Sequence, residues 1–312
     1  YDFWRLFYVA FSRAQNLLIL TGQENAAGRG LARLPSKYFL DFYNPLISWK
    51  DKAFQFNDLN LDEIKSPNIK SPYSFTSHIL LYENCALQYK FFKELEFVPV
   101  RKAPIIFGVL VHQTIEDIHK VVLRGELDKV TTENIENWYN ENYNSITKRQ
   151  RVYLNDYAKG LALEHVLNYY ERQNGNWDKI KEAEVDVSLV KEDYILNGTI
   201  DLIEGENQTV EIVDFKSEKK LDVNSPKDKE KLERYQRQLE VYAHIVEERT
   251  GQKVSQLHLY YTGEKEGNPR ITFPKSKLSI NETVSNFDKV VYKIEAKDYS
   301  MENRPESKIC KE

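Results

Sequence analysis

Asp201, Asp214 and Lys216 are the residues whose types and spacing could do chemistry. Two apolar, strand-like runs flank Glu204-Gly205-Glu206-Asn207-Gln208, a tight-turn sequence. Alternate residues of a strand share a face, so Thr199, Asp201 and Ile203 point one way, and Val210, Ile212, Asp214 and Lys216 share a face of the next strand. Centring the turn between Glu206 and Asn207 places Asp201 diagonally across from Asp214, about 7–8 Å apart between backbones. Two carboxylates converging at that range suit a hard divalent cation such as Mg²⁺ or Mn²⁺. Lys216, two residues beyond Asp214, could orient or deprotonate a water or stabilise charge on a phosphate under attack. An Asp-x-Lys tripeptide alone is commonplace; here it follows Ile212-Val213 and opposes a second carboxylate.

Periodicity supplies the elements that must hold these residues. Val111, Ile115, Ile118 and Val122 predict a helix over 108–123, and Leu154, Tyr157, Leu161, Val166 and Tyr170 predict a second. Strands are predicted at 184–190, 194–203 and 209–216. A helix follows over 229–249 with Leu232, Tyr235, Leu239, Tyr242 and Val246 on one face, then a strand at 256–261 and a helix near 284–294. The order is that of an α/β core with hairpins first and a crossover helix later. Two further residue sets stand out. His112 lies beside the apolar stripe of the first helix, where a core histidine is the ordinary reading. Gln238 and Tyr242 share one helical face, although Tyr242 alone reads as core.

The 312 residues carry 44 basic and 48 acidic side chains, a net charge of -4, which permits a basic cleft without advertising one. No apolar run reaches bilayer length and no basic-apolar leader opens the chain, so a cytoplasmic, membrane-free protein is expected. Two cysteines, Cys85 and Cys310, are too few for a disulfide framework.

Gly108/His112, Gly198/Asp201, Asp214/Lys216 and Gln238/Tyr242, in that order, resemble the RecB-like branch of the PD-(D/E)XK nucleases, which includes the nuclease domains of RecB, AddA and AddB. The resemblance implies a restriction-endonuclease-like α/β fold, a central mixed sheet flanked by helices with helical elaborations. It implies metal ligation by His112, Asp201, Asp214 and the backbone carbonyl of Phe215, with Lys216 catalytic and Gln238 and Tyr242 positioning the lysine and the DNA strand. Glu184 stands where the branch often carries a glutamate on the first strand, and Glu116, one turn from His112, reads as a surface carboxylate. DNA, as single strands or duplex ends, is the implied substrate.

The run Arg5-Leu6-Phe7-Tyr8-Val9-Ala10-Phe11-Ser12-Arg13-Ala14, a helix leading into a strand at 17–20, resembles motif VI of UvrD/Rep-type superfamily 1 helicases. There Arg13 would reach the γ-phosphate of ATP in an intact motor. The chain contains no G-x-x-x-x-G-K-[ST] loop, so ATP hydrolysis by this chain is not expected. The expected organisation is a helicase remnant at 1–22, a connection at 23–73 and a nuclease domain at 74–312. The helicase domain of the same polypeptide and a second helicase–nuclease subunit are expected partners in DNA repair and recombination. Cys85 and Cys310 resemble two of the four ligands of a [4Fe–4S] cluster that many members carry, a site two cysteines cannot complete. The rival expectation is a catalytically inert nuclease-like module kept for DNA binding or assembly; such copies usually lose the D-x-K or the opposing carboxylate, and this chain retains both.

Overall fold

The computed structural model describes residues 2–12, 14, 17–20, 40–41, 46, 70–97, 103–173, 175–206 and 209–300. The chain divides into two compact units, Tyr1–Ile69 and Lys70–Glu312. In the first, helix α1 (Asp2–Ser12) realises the helical part of the opening motif, with Phe7 and Phe11 ring centroids 5.4 Å apart. The strand expected at 17–20 is not formed: those residues have no regular structure and Leu17, Leu18 and Ile19 are exposed. Arg13, Cys310 and most of the expected connection lie outside the described residues.

The second unit is a three-layer α/β fold. Its mixed sheet holds β1 (Pro72–Ser74), β2 (Ile180–Val190), β3 (Ile195–Glu206), β4 (Thr209–Lys216), β5 (Lys253–Tyr261) and β6 (Arg270–Pro274). Strand β3 is central. It pairs antiparallel with β2 along one edge, while β1, parallel, and β4, antiparallel, take opposite ends of the other. Residues 198–201 are thus left without a strand partner on that second edge, and Asp201 stands at the mouth of the gap. Helix α5 (Pro226–Thr250) carries the chain from β4 to the parallel strand β5. Pro226 occupies its first turn, and Gly251, at φ 69°, ends it in the left-handed conformation that glycine adopts without a Cβ clash.

On one face α2 (Ala103–Leu123), α3 (Thr132–Gln150) and α4 (Asp156–Gln173) bury Ile106, Leu110, Ile115, Ile118, Ile135, Tyr139 and Val166 against Leu202, Val213, Phe215 and Tyr260 of the sheet. On the other, α5, α6 (Lys277–Glu295) and an irregular helical segment over 75–94 cover Ile200, Ile203, Val210, Ile212, Leu257 and Leu259. The stripe predicted for α2 is buried except for Val122, which is half-buried. That of α4 needs correction: Leu154 precedes the helix and Tyr157, on its first turn, is 79% exposed.

An ion pair between the buried Glu204 and the half-buried Arg270 ties the hairpin to the sheet edge. Arg270 on β6 donates to Glu204 Oε1 at 2.8 Å and lies 2.8 Å from Oε2, and its guanidinium sits near the Tyr260 ring. Removing one partner of such a pair strands the other charge, so Arg270→Met should cost about 3 kcal/mol in chemical denaturation, whereas Glu204→Gln with Arg270→Met should recover much of it. A double variant no more stable than the single one would contradict this.

Burial also makes the fold acid-sensitive. Of the six histidines, five are held below their ordinary basicity by burial, His119 at about 3 and His78 at about 4, with His165, His244 and His258 shifted the same way. In the folded chain they take up their protons at lower pH than in the unfolded chain, which protonates near pH 6.5. Falling pH from 6.5 toward 4 therefore favours unfolding, with buried His119 contributing up to about 1.4 kcal/mol per pH unit. Three carboxyls raised by burial work the other way, Glu184 at about 7 between pH 7 and 4.5 and Asp117 and Asp214 at lower pH, against the five histidines. Thermal melts should show Tm dropping across that window; a flat Tm from pH 7 to 4.5 would contradict it.

Candidate metal-binding active site

The hairpin register differs from the sequence reading. Glu206 pairs with Thr209 and Leu202 with Val213, a register shifted by one turn position from the one expected. Continuing that register sets Asp201 directly opposite Asp214 rather than diagonal to it. The strands part there, and the Asp201 carboxylate fills the space by accepting the Phe215 backbone N–H at 2.6 Å.

The expected alternation also breaks at this point. Ala183 and Leu202 pack with the cluster under α2–α4, whereas Val185 and Ile200, two residues away on each strand, pack with the opposite cluster. Both strands change phase across the step from Glu184 to Asp201. Glu184 itself has φ 48°, a left-handed conformation that non-glycine residues seldom adopt. Local strain of this kind concentrates at functional sites. Its effect here is to turn the Glu184 carboxylate toward His112 and Asp201.

His112, Glu184 and Asp201 each offer one ligand atom within 4.8 Å of the others. His112 Nδ1 lies 3.6 Å from Asp201 Oδ2. Burial lowers the basicity of His112, but the adjacent Asp201, helped by Asp214, more than restores it, so the net shift is upward. Burial raises Asp201, and His112, the Phe215 N–H and Lys216 overcome this to leave its carboxyl below the usual range. Glu184 is raised to about 7 by burial, by Asp201 and by Glu116. Among the described residues its carboxylate has neither a hydrogen-bond donor nor an ion-pair partner. This half-buried, crowded and unpartnered acid is the observation that fits a cation: one imidazole nitrogen and two carboxylates make a mixed donor set for a divalent ion. The three side chains open on a pocket of about 420 Å³ shared with Gly108, Gln113 and Thr199. Glu116, read from sequence as a surface carboxylate, also lines it, half-buried and paired with Lys120.

Asp214 and Lys216 form the second half of the site. Lys216 Nζ lies 2.5 Å from Asp214 Oδ2 and donates to Gln238 Oε1 at 3.4 Å. Gln238 Nε2 donates to Asp214 Oδ1 and to the Tyr242 hydroxyl, both at 3.0 Å. Burial raises Asp214 against the pull of Lys216. The carboxylate of Asp214 is thus engaged with the lysine and glutamine and stands outside the close threesome. Between them Phe215 points to the opposite face and packs on His112, His119, Tyr169 and Tyr260 with centroids 5.2–6.1 Å apart. Burying that ring is worth about 2–3 kcal/mol and fixes the strand end that aims its neighbours.

Two contacts escaped the sequence reading. The Lys216 ammonium lies 4.0 Å from the centre of the Tyr235 ring, whose hydroxyl donates to Glu218 at 2.8 Å. Alternation was the available signal, because Asp214, Lys216 and Glu218 share parity. The second is Gly198: a Cβ there would lie 2.5 Å from Cε1 of Tyr242, so the glycine makes room for that ring. Cys85 is buried and its sulfur accepts the Gln88 N–H at 3.4 Å, capping a short helix.

The family model for the PD-(D/E)XK nuclease superfamily matches residues 76–311, about three quarters of the chain. The chain belongs to the PD-(D/E)XK nuclease superfamily. Its mixed sheet flanked by helices is the layout of that superfamily's restriction-endonuclease-like fold. Two solved structures are similar in outline. One is a Eubacterium rectale protein provisionally assigned as an exonuclease, at 13% identity, with 72% of this chain and 81% of that one covered and a TM-score of 0.47. The other is SSO0001, at 17% identity, 61% and 88% coverage and a TM-score of 0.31. No curated protein matches the chain. Among the described residues no helix is long and apolar enough to cross a membrane.

Proposed function

We propose that this PD-(D/E)XK domain is a Mg²⁺- or Mn²⁺-dependent deoxyribonuclease that hydrolyses phosphodiester bonds at the site of His112, Glu184, Asp201, Asp214 and Lys216. The observation that carries the reading is the gathering of an imidazole and two carboxylates beside a separate, ordered Asp214–Lys216–Gln238 chain. His112, Glu184 and Asp201 would hold the ion, with Asp214 and the Phe215 carbonyl completing the set that the family resemblance implies. When bound, a divalent ion supplies Lewis acidity toward a phosphate oxygen and lowers the pKa of water. Lys216 contributes a fixed positive charge for the phosphate and a donor to orient the attacking water. Gln238 keeps Lys216 and Asp214 in register, and Tyr242 holds Gln238 from behind.

The finer reading is a RecB-like nuclease joined to a superfamily 1 helicase in a repair or recombination enzyme. It is supported by the four ordered motifs and by the run from Arg5 to Ala14. In that parent Arg13 would serve ATP, and Cys85 with Cys310 would ligate an iron–sulfur cluster; protein purified without oxygen should then carry iron and absorb broadly near 400 nm.

The test is cleavage of labelled single-stranded DNA with Mg²⁺ or Mn²⁺, wild type beside Asp214→Ala. Metal-dependent cutting that disappears in the variant supports the reading. Tight DNA binding without cutting by wild type would replace it with an inert binding module.

A further inference from the structure

A second pocket adjoins the metal-side one, and none of the catalytic roles above accounts for it. It encloses about 520 Å³, within the usual size range of ligand sites, between the start of the 75–94 helical segment and strands β2 and β3. Its floor is Gly198 and Tyr242, and Thr199 belongs to both pockets. The two pockets therefore adjoin at Thr199. The Tyr242 hydroxyl in the floor accepts from the same Gln238 amide that holds Asp214, so an occupant would rest on a side chain of the catalytic chain.

The walls are made of short neutral polar groups. Ser74, Thr76, Ser77, Ser188 and Asn197 line it, and among the described residues no lysine or arginine does. Thr76, Ser77 and Ser188 are exposed, and among the described residues their hydroxyls have no hydrogen-bond partner. Asn197 Oδ1 is buried and also without one. Asp186, the one carboxylate among the described lining residues, is occupied by the Thr199 hydroxyl at 2.8 Å. Unengaged hydroxyls and an amide that both donate and accept match a nucleotide, whose phosphate oxygens accept and whose base edge does both. Ser, Thr and Asn are common partners of the sugar-phosphate backbone.

We infer that this pocket is the subsite for the nucleotide adjoining the scissile phosphate, held through neutral hydrogen bonds from Thr76, Ser77, Ser188 and Asn197. The inference rests on the nuclease reading, because it takes the scissile phosphate to lie over His112, Glu184 and Asp201. Contacts of this kind release no counterions, so they add affinity without adding salt dependence.

The test is the triple variant Thr76→Val, Ser77→Ala, Ser188→Ala, chosen at exposed positions where the fold should tolerate change. On a labelled 20-nucleotide strand with Mn²⁺, KM should rise about tenfold while kcat stays within twofold, since each lost hydrogen bond weakens binding modestly. The slope of log KM against log salt should stay at its wild-type value, and Tm should not move. A KM within twofold of wild type, or a loss confined to kcat, would overturn the subsite. Wild type that cuts no DNA would instead defeat the nuclease reading. Fluorescence anisotropy with the same strand then decides the pocket separately: equal Kd for wild type and triple variant overturns it, and about tenfold weaker binding by the variant retains it.

Discussion

Lys216→Met should slow DNA cutting by about 10²–10³-fold at saturating strand and metal, the usual loss when one preorganised charge or donor aimed at a transition state is removed. The side chain is held by three partners, the Asp214 carboxylate, the Gln238 amide and the Tyr235 ring, which restrict where its ammonium can go. Methionine keeps the length and apolar stem but not the charge. The cluster proposed to hold the ion, His112, Glu184 and Asp201, does not include Lys216, so Mn²⁺ affinity should change little. A loss of cutting with metal binding retained separates a chemical role from a collapsed site. Full activity in Lys216→Met would remove the mechanism proposed for this lysine.

The second large effect is expected at Gly198, which makes no polar contact with the site. An added Cβ would lie 2.5 Å from Cε1 and 3.1 Å from Cδ1 of Tyr242, distances that force the buried ring to move. Overpacking of this kind costs about 1–3 kcal/mol. The displaced hydroxyl would also release the Gln238 amide that holds Asp214 and Lys216. Gly198→Ala should therefore lose activity by about 10²-fold, an order-of-magnitude figure for a small misplacement of catalytic groups, and should melt earlier than wild type. The double variant Gly198→Ala with Tyr242→Ala should be more stable than the sum of its single losses, because the clash needs both partners. Strict additivity would show that the two motifs do not act through this contact.

That contact also shows what the sequence could and could not carry. Gly198 and Tyr242 are 44 residues apart, and each motif was recognisable by its own spacing, but their touching depends on how α5 crosses the sheet. Elements with strong periodicity were legible: β4 begins and ends where predicted, and Leu232, Leu239, Tyr242 and Val246 of α5 are buried as expected. Helix α3 was missed although Ile135, Tyr139, Asn142 and Ile146 follow helical spacing, because its polar residues dilute the stripe. Strands β1 and β6, of three and five residues, are too short to show alternation. The hairpin register erred by one residue since nothing in Glu204–Gln208 chooses between two turn centres. Glu184 was visible only as a loosely placed glutamate, because regular alternation gives no warning that both strands change phase beside it. The left-handed backbone at Glu184 is a tertiary decision, and it is what turns a strand residue into a third member of the cluster.

The most direct test of the account is to locate the ion. Crystals of the wild-type protein soaked in MnCl₂ and measured by anomalous diffraction should show a peak between His112, Glu184 and Asp201, with ligand distances of roughly 2.0–2.3 Å, the range for small divalent ions on nitrogen and oxygen donors. The peak should vanish in Asp201→Ala. A fully loaded crystal whose manganese lies elsewhere, with these three side chains left unliganded, would contradict the central claim that this cluster is the metal centre of the nuclease.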